Sequence, residues 1–362
     1  MTTPFAPMLS PPVTVQNLTA WFLLAPCDPH PESFSIPEYR VLEESIDASL
    51  AVLHETGSVN ELLIENTGDI DVFIQAGDIV KGGRQDRTIG VDFIVPARSG
   101  RIPLPAFCVE KSRWHRRGGE AADRFSSSKH SLSSKKTHMA MLFAKSQAEV
   151  WRSVAEEQTA LAHALQADST SAVSPTSLEL TYELDHVSRA VDDYTGPLED
   201  APATMVADVV GVVWAIDGRP SHADQYASPV LFAKRWRKLL RAAATEAIRS
   251  RPERVSAGEP PAAPSTEEMQ LWLASAGSDE PVDGPSGPQT VAVEVATCDP
   301  DDSRPLDSRV VPDRSHAAAT ADESLPPRTR MRRATGRAAH RVECYDTGVP
   351  VTIPVHVAIL AP

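Results

Sequence analysis

The apolar residues of this chain change their period near residue 137, and that change constrains the fold more than any other feature. Between residues 61 and 108, apolar and polar residues alternate in short runs, which is the two-residue period of half-buried strands. From Thr137 to Leu165 the apolar residues recur every three or four positions, which is the period of a helix with one buried stripe. We therefore predict an α+β fold, with an N-terminal antiparallel β-sandwich-like sheet and packed helices in the C-terminal half.

Runs bounded by turn residues predict the positions of the strands. In the N-terminal part these runs are Val13–Leu24, Glu61–Asn66, Ile70–Gln75, Ile89–Val95 and Ile102–Cys108. Further along the chain they are Val206–Ile216, Gln289–Thr297 and Val351–Leu360. Pro103 and Pro105 favour an edge position for the fifth run, and Pro354 favours one for the last run, because proline donates no ladder hydrogen bond.

Capping residues predict where helices begin. Ser228 precedes Pro229, and this pairing of an N-cap residue with a first-turn proline is typical of a helix start. Ser265 and Glu268 have the spacing of a capping box. Besides the helix that begins at Thr137, we predict helices over residues 42–50, 229–249 and 266–272.

Changes in composition divide the chain into five segments that we expect to form one domain overall. The predicted segments are a β-rich part over 1–116, a flexible basic Ser/Gly loop over 117–136, helices with one buried strand over 137–277, a mostly flexible Pro-rich segment over 278–340, and a closing edge strand over 341–362. The proline content supports the fourth segment, since 31 of the 362 residues are proline.

Charge and cysteine content restrict the function. The net charge is −14, yet the stretch from Lys81 to Lys136 holds 13 basic and 5 acidic residues. This pattern argues against general nucleic-acid binding and favours a local site for an anionic small molecule. The four cysteines are far apart and no apolar run could span a membrane, so we expect a cytoplasmic protein without a zinc cluster or another metal site.

Two polar segments that follow predicted strands contain the candidate site. They are Gly77–Thr88 and Cys108–Trp114. Guanidinium and ammonium groups pair with phosphate, an indole stacks on a base, and carboxylates act as general acids or bases. The candidate catalytic residues are Glu110 and Asp78, and the candidate ligand-binding residues are Lys81, Gln85, Arg87, Arg113 and Trp114.

A structural interpretation of the same residues stands beside this functional one. Arg87 with Asp86 or Glu110 could be an ion pair that ties two strands together. Cys108 shares a strand face with Leu104, which indicates a buried, inert thiol. The histidines His115, His130 and His138 lack the spacing of metal ligands and are predicted to lie on the surface.

The stretch from Gly57 to His115 resembles the prokaryotic ARG-and-rhodanese-phosphatase-superfamily-associated protein domain family. The matching positions are Ser58 to Leu62, Gly82, Gln85, Arg87, Cys108, Glu110, Arg113 and Trp114. Three positions depart from the usual residue, because Asp78 replaces Glu, Arg84 replaces Lys and Asp86 replaces Asn. The resemblance implies a link to ADP-ribose, nucleotide or phosphoester metabolism. It does not identify an activity.

Three functions follow as hypotheses from these patterns. The first is binding of a phosphorylated, nucleotide-like ligand related to ADP-ribose or NAD. The second is a hydrolase acting on such a ligand with Glu110 as its base. The third is a non-catalytic scaffold that recruits a protein partner through its long polar segments. The sequence does not identify a cofactor.

Overall fold

The computed structural model describes residues 8–25, 37–110, 125–165, 177–251, 262–276, 329–335, 339–346 and 354–361. Within these ranges the chain forms three sheets and seven α-helices. The predicted α+β class is confirmed.

The largest sheet has eight strands drawn from both ends of the chain. They are β1 (Met8–Leu9), β2 (Val13–Val15), β3 (Leu18–Leu24), β13 (Val209–Ile216), β14 (Arg219–Tyr226), β15 (Thr329–Thr335), β16 (His340–Asp346) and β17 (His356–Leu360). Their order in space is β1-β3-β13-β14-β17-β16-β15, with β2 also paired to β3. Every pair in this sheet is antiparallel.

Two smaller sheets form the N-terminal part. The six-stranded sheet contains β5 (Ala51–Glu55), β6 (Glu61–Asn66), β8 (Asp78–Gly82), β9 (Arg87–Ile89), β11 (Ser99–Cys108) and β12 (Phe125–Ser131). The three-stranded sheet contains β4 (Arg40–Val41), β7 (Val72–Ile74) and β10 (Phe93–Val95). One apolar cluster joins them, since Leu62 and Ile64 of the first sheet pack with Val72 and Phe93 of the second. This packing is the predicted sandwich-like arrangement.

The helices follow in chain order. They are α1 (Leu42–Asp47), α2 (Lys135–Met139), α3 (Gln147–Ala164), α4 (Leu178–Glu183), α5 (Asp185–Thr195), α6 (Pro229–Ser250) and α7 (Thr266–Ser275). A π-helical turn, Ala140–Ala144, follows α2, and a 3-10 turn, Ala201–Thr204, follows α5. Ser228 caps α6 and Ser265 with Glu268 forms the capping box of α7, as predicted.

The large sheet is buried on both faces, which explains the apolar character of its central strands. Along β3, Ala20 and Phe22 point to a core that also contains residues of α3, α5 and α6. Trp21 points to the opposite face, where Met269 of α7 covers it. Helices therefore cover both sides, and α6 lies between the large sheet and β12.

Backbone turns divide three elements that were predicted to be continuous. Gln16 has φ 54° and separates β2 from β3. Lys145 has φ 50° and breaks the long predicted helix between the π-helical turn and α3. The predicted strand Ile89–Val95 splits between β9 and β10, which belong to different sheets.

The edge positions inferred from proline are wrong. β11 lies between β9 and β6, and its prolines are accommodated because β9 pairs only with Ala106–Cys108. β17 lies between β14 and β16, and Pro354 precedes it. Pro103 and Pro105 pair with β6 alone and Pro354 lies outside β17, so a strand can occupy the middle of a sheet when its prolines face no second partner strand.

The predicted flexible segments are wrong where the structure describes them. Residues 125–136 of the expected Ser/Gly loop form β12 and the start of α2, because β12 pairs with β8 from Phe125 to Ser131. Thr329–Thr335, within the expected Pro-rich segment, forms β15. The predicted strand Gln289–Thr297 lies outside the described residues.

Candidate functional site

Three of the predicted site residues meet where the β8–β9 hairpin contacts the end of β11. Arg87 Nη1 donates to Gln85 Oε1 at 3.1 Å, and Gln85 Nε2 donates to the carbonyl oxygen of Glu110 at 3.1 Å. The Glu110 carboxylate accepts a hydrogen bond from the Asp86 amide at 3.1 Å. The exposed fractions of Gln85, Arg87 and Glu110 are 3%, 0% and 1%, so these side chains lie inside the protein. Their contacts tie the hairpin to the neighbouring strand.

Asp78 lies in a different cluster, against helix α6. Arg235 donates to the two carboxylate oxygens of Asp78 at 2.7 and 3.0 Å. The backbone N–H of Gln75 donates to the same carboxylate at 3.3 Å. Burial alone would raise the pKa of Asp78, but the charges of Arg235 and Lys238 and these hydrogen bonds outweigh burial and hold the pKa below its usual value. Asp78 is thus the buried counter-ion of α6.

The remaining predicted site residues do not join either cluster. Lys81 Nζ lies 3.3 Å from a carboxylate oxygen of Glu179 and 3.1 Å from one of Glu183. Arg113 and Trp114 lie outside the described residues. The described members of the predicted site therefore occupy three separate clusters rather than one open hollow, and their ligand-binding role stays a prediction.

A cavity of about 50 Å³ lies elsewhere, between α6, the junction of β12 with α2, and the strands β14, β16 and β17. We call it the central cavity. Its polar lining includes Ser131, Ser133, Lys135, His138, His222, Asp224, Arg235 and His356. A single water requires about 10–15 Å³ of such space, so the cavity has room for a few waters or one small polar group.

One wall of the central cavity is a histidine held between two carboxylates. His356 Nδ1 lies 2.6 Å from Asp92 Oδ2, and His356 Nε2 lies 3.0 Å from Asp224 Oδ1. Burial would lower the pKa of His356, but Asp92 and Asp224 outweigh it and raise the pKa to about 9. His356 is therefore an imidazolium at neutral pH, and both of its ring nitrogens donate to protein groups.

Gln75 connects this wall to α6. Its Nε2 donates to Asp224 Oδ1 at 3.1 Å, and its Oε1 accepts hydrogen bonds from Tyr226 Oη at 2.6 Å and Arg235 Nε at 2.9 Å. Because Arg235 also binds Asp78, one hydrogen-bond network runs from the β8 strand to the cavity. The members of this network form hydrogen bonds with one another, and these bonds hold the cavity wall in place.

The opposite wall of the central cavity contains an ammonium group that is not part of this hydrogen-bond network. Lys135 is half-buried, and its ammonium makes no hydrogen bond or ion pair with any residue that the structure describes. Burial, reinforced by the charge of Arg249 and opposed by that of Glu246, lowers the pKa of Lys135. An ammonium group without a carboxylate partner, facing a cavity, is a candidate ligand for an anion.

Two histidines stand beside Lys135. His138 Nδ1 lies 3.1 Å from the Ser134 carbonyl oxygen, which fixes Nδ1 as the donor and leaves Nε2 for another partner. His222 Nδ1 lies 3.1 Å from Ser221 Oγ. Burial lowers the pKa of His222 to about 4. The charges of Lys135 and His138 add to this effect, and the charge of Asp224 opposes it. The imidazole of His222 is therefore neutral at pH 7.

The sequence analysis did not identify the central cavity. It predicted His130 and His138 to lie on the surface, but His130 is 2% exposed and His138 is half-buried beside the cavity, so both predictions are wrong. His115 lies outside the described residues. The serine-rich stretch around Ser133 was the local feature of the sequence that pointed to this part of the cavity lining. The sequence analysis assigned that stretch to a loop.

Among the described residues, no group of three or more histidine, cysteine or carboxylate side chains has the arrangement of a metal site. No described helix is both long enough and apolar enough to cross a bilayer. The fold and the cavity together define an α+β protein with an internal site in which amine, imidazole, hydroxyl, carboxylate and guanidinium groups lie among apolar side chains.

The chain matches the ARG and Rhodanese-Phosphatase-superfamily-associated Protein domain over residues 8–304. This match covers most of the 362 residues, and the chain belongs to that family. No curated protein and no solved structure matches the chain. The strands β15, β16 and β17 lie beyond the matched residues, although Val342 of β16 and His356 of β17 complete the cavity wall.

Proposed function

We propose that this protein binds a phosphorylated small molecule and that the phosphoryl group occupies the central cavity. The observation that carries the proposal is the half-buried ammonium of Lys135, which lines the cavity and has no partner among the described residues. A phosphate dianion would supply its missing counter-charge. We therefore propose the central cavity as the ligand site, in place of the β8–β9 hairpin that the sequence favoured.

Four further lining groups suit the same ligand. The imidazoles of His138 and His222 and the hydroxyls of Ser131 and Ser133 can each form a hydrogen bond with a phosphoryl oxygen. The cavity volume of about 50 Å³ suits one phosphoryl group and excludes a whole nucleotide. The rest of a larger ligand would extend towards the cavity mouth. The family resemblance implies a link to ADP-ribose metabolism. We therefore choose ADP-ribose as the first larger ligand to test.

Calorimetric titration of the full chain with inorganic phosphate and with ADP-ribose tests the proposal. We expect binding by the unmodified chain, loss of binding in Lys135→Ala, and a rise in thermal stability worth ~2.7 kcal/mol at a ligand concentration of 100 times Kd. Lys136→Ala is the matched control, because Lys136 is exposed and pairs with Glu156 outside the cavity.

Two results with the unmodified chain and with Lys135→Ala would overturn the proposal. One is the absence of binding by any phosphorylated compound, which would favour the scaffold hypothesis. The other is binding that Lys135→Ala leaves unchanged, which would place the ligand elsewhere. Loss of binding in Lys136→Ala to the same extent would also remove the argument for the cavity, because that side chain does not line it.

A further inference from the structure

Ser133 differs from the other hydroxyl groups that line the central cavity. It lies at the junction between β12 and α2 and is 6% exposed. Its Oγ donates a hydrogen bond to Glu157 Oε1, a carboxylate oxygen that also accepts the hydroxyl of Tyr182. Ser133 thus connects the cavity to a buried carboxylate behind it.

Glu157 has properties expected of a general base. Its side chain is fully buried, and it makes no ion pair within 4.0 Å with any residue that the structure describes. Burial raises the pKa of Glu157, the charge of Glu246 adds to that effect, and the charge of Arg249 with the Ser133 and Tyr182 hydrogen bonds opposes it. A carboxylate with a raised pKa accepts a proton more readily.

Tyr182 holds this carboxylate in place. Burial and the neighbouring Glu157 raise the pKa of Tyr182 well above its usual value, so its hydroxyl keeps its proton across the physiological range. Tyr182 Oη also lies 3.3 Å from Ser133 Oγ. The tyrosine is a fixed donor, and Ser133 is the partner whose proton can move to Glu157.

We propose that Ser133 is the nucleophile of a phosphoryl-transfer reaction in the central cavity, with Glu157 as its base. The inference rests on the proposed function, because it requires a phosphoryl group beside Lys135. Ser133 and Lys135 line the same cavity from one short segment, and the proposal places one phosphoryl group between these two side chains. The substrate class is a phosphate monoester.

The first step forms a phosphoserine. Ser133 Oγ attacks phosphorus while its proton passes to Glu157, and a bond forms between Oγ and phosphorus. The bond from phosphorus to the leaving oxygen breaks, and its electron pair stays on that oxygen, which takes a proton from solvent. Lys135 balances the charge of the phosphoryl oxygens throughout.

The second step regenerates the serine. A water molecule attacks phosphorus and gives one of its protons to solvent. The bond between phosphorus and Oγ breaks, and Oγ recovers its proton from Glu157. The products are inorganic phosphate and an alcohol, and the protein returns to its starting protonation state.

A purely structural role for Ser133, in which it only satisfies Glu157, makes a different prediction for mutants. Ser128 offers a matched comparison, because its buried hydroxyl also donates to a carboxylate, that of Glu179, and it does not line the cavity. If Ser133 reacts, Ser133→Ala abolishes turnover and Ser128→Ala retains it. A structural serine would leave turnover at a similar level in both variants.

The experiment uses the full chain with p-nitrophenyl phosphate and acetyl phosphate. We expect product release by the unmodified protein, and a phosphoryl adduct on Ser133 after acid quenching and peptide mapping by mass spectrometry. Ser133→Ala should bind inorganic phosphate by calorimetry and show neither turnover nor adduct. Glu157→Gln should slow turnover by ~10²-fold or more and flatten its pH profile.

The outcomes separate this inference from the proposed function. Absence of phosphate binding by the unmodified chain would remove both. Phosphate binding that depends on Lys135, without turnover or adduct with either ester, would overturn the nucleophile and leave the binding function intact. Turnover by Ser133→Ala at the rate of the unmodified chain would have the same consequence.

Discussion

Replacing Asp78 with asparagine tests whether this residue acts as a buried counter-ion. The exchange keeps the shape of the side chain and removes its charge. Arg235, with 1% of its surface exposed, and Lys238, with 4%, would then face a neutral amide. In the present structure the Asp78 carboxylate oxygens lie 2.7 Å from Arg235 Nη2 and 3.8 Å from Lys238 Nζ. Removing one partner of a buried ion pair typically costs ~3–5 kcal/mol.

Urea unfolding measures this cost directly as a difference in the free energy of unfolding. We expect Asp78→Asn to lose ~3–5 kcal/mol at pH 7. Glu156→Gln is the control, because it breaks the exposed pair with Lys136 and should lose under ~1 kcal/mol. A loss for Asp78→Asn as small as that of the control would refute the interpretation of Asp78 as a structural charge.

The pH dependence of the same difference provides a second check. The folded-state pKa of Asp78 lies below the ordinary value of 3.8, so its ionised form stabilises the folded protein above that value. The stability advantage over Asp78→Asn should be complete near neutral pH. It should fall as the pH drops below 3.8 and through the lower folded-state pKa. An advantage that instead grew as the pH dropped would contradict the sign of the shift.

Two further predictions concern the large sheet. The folded-state pKa of His356, about 9, exceeds its ordinary value of 6.5, so its stabilising effect is full below 6.5 and is lost as the pH rises through 9. The melting temperature of the unmodified chain should therefore fall more steeply than that of His356→Gln between pH 7 and 10, and parallel curves would contradict this. Gly211→Ala should cost ~1–3 kcal/mol in urea unfolding, because its Cβ would lie 2.3 Å from the Asp224 carbonyl oxygen. Gly100→Ala, whose Cβ meets nothing within 4 Å, should be nearly neutral, and equal losses in the two variants would refute the argument.

Elements with local signals were predicted well from the sequence. The cap at Ser228 and the capping box at Ser265 each fix a helix start through hydrogen bonds within a few residues. The turn at Asp217 and Gly218, with φ 57° and 68°, follows β13, and an Asp-Gly pair after an apolar run is a local signal for such a turn. In these places the interaction that decides the structure is already present in the local sequence.

The strand β12 shows why other elements escaped prediction. Its sequence from Phe125 to Ser131 has no apolar alternation, so it resembled a flexible loop. In the structure β8 supplies its backbone partners. Lys238 then donates to Ser127 Oγ at 2.9 Å, and Ser128 donates to Glu179 at 2.6 Å. These partners come from distant parts of the chain, and a strand stabilised by polar contacts has no hydrophobic pattern to detect.

The candidate site was missed for a related reason. Lys135, His222 and His356 come from three separate regions of the chain, and none of them belongs to a motif. They meet because β17 adds to β14 in the large sheet while α2 lies at the other side of the cavity. The Gly-rich hairpin did show a concentration of polar residues, but Gln85 and Arg87 are used there in internal contacts. Local composition identified polar residues and gave no information on which of them face open space.

Charge balance separates the structural ionisable groups from those that remain for function. Asp78 is matched by Arg235, and Asp224 is matched by His356, so these pairs are complete without a ligand. Lys135 is a cation with no carboxylate within ion-pair distance among the described residues. Loss of Arg235 should therefore impair folding before it impairs binding, whereas loss of Lys135 should impair phosphate binding and leave the melting temperature of the free protein almost unchanged. The same distinction applies to carboxylates, because Glu157, unlike Asp78 and Asp224, has only hydroxyl groups within hydrogen-bond distance among the described residues, and one of them is that of Ser133.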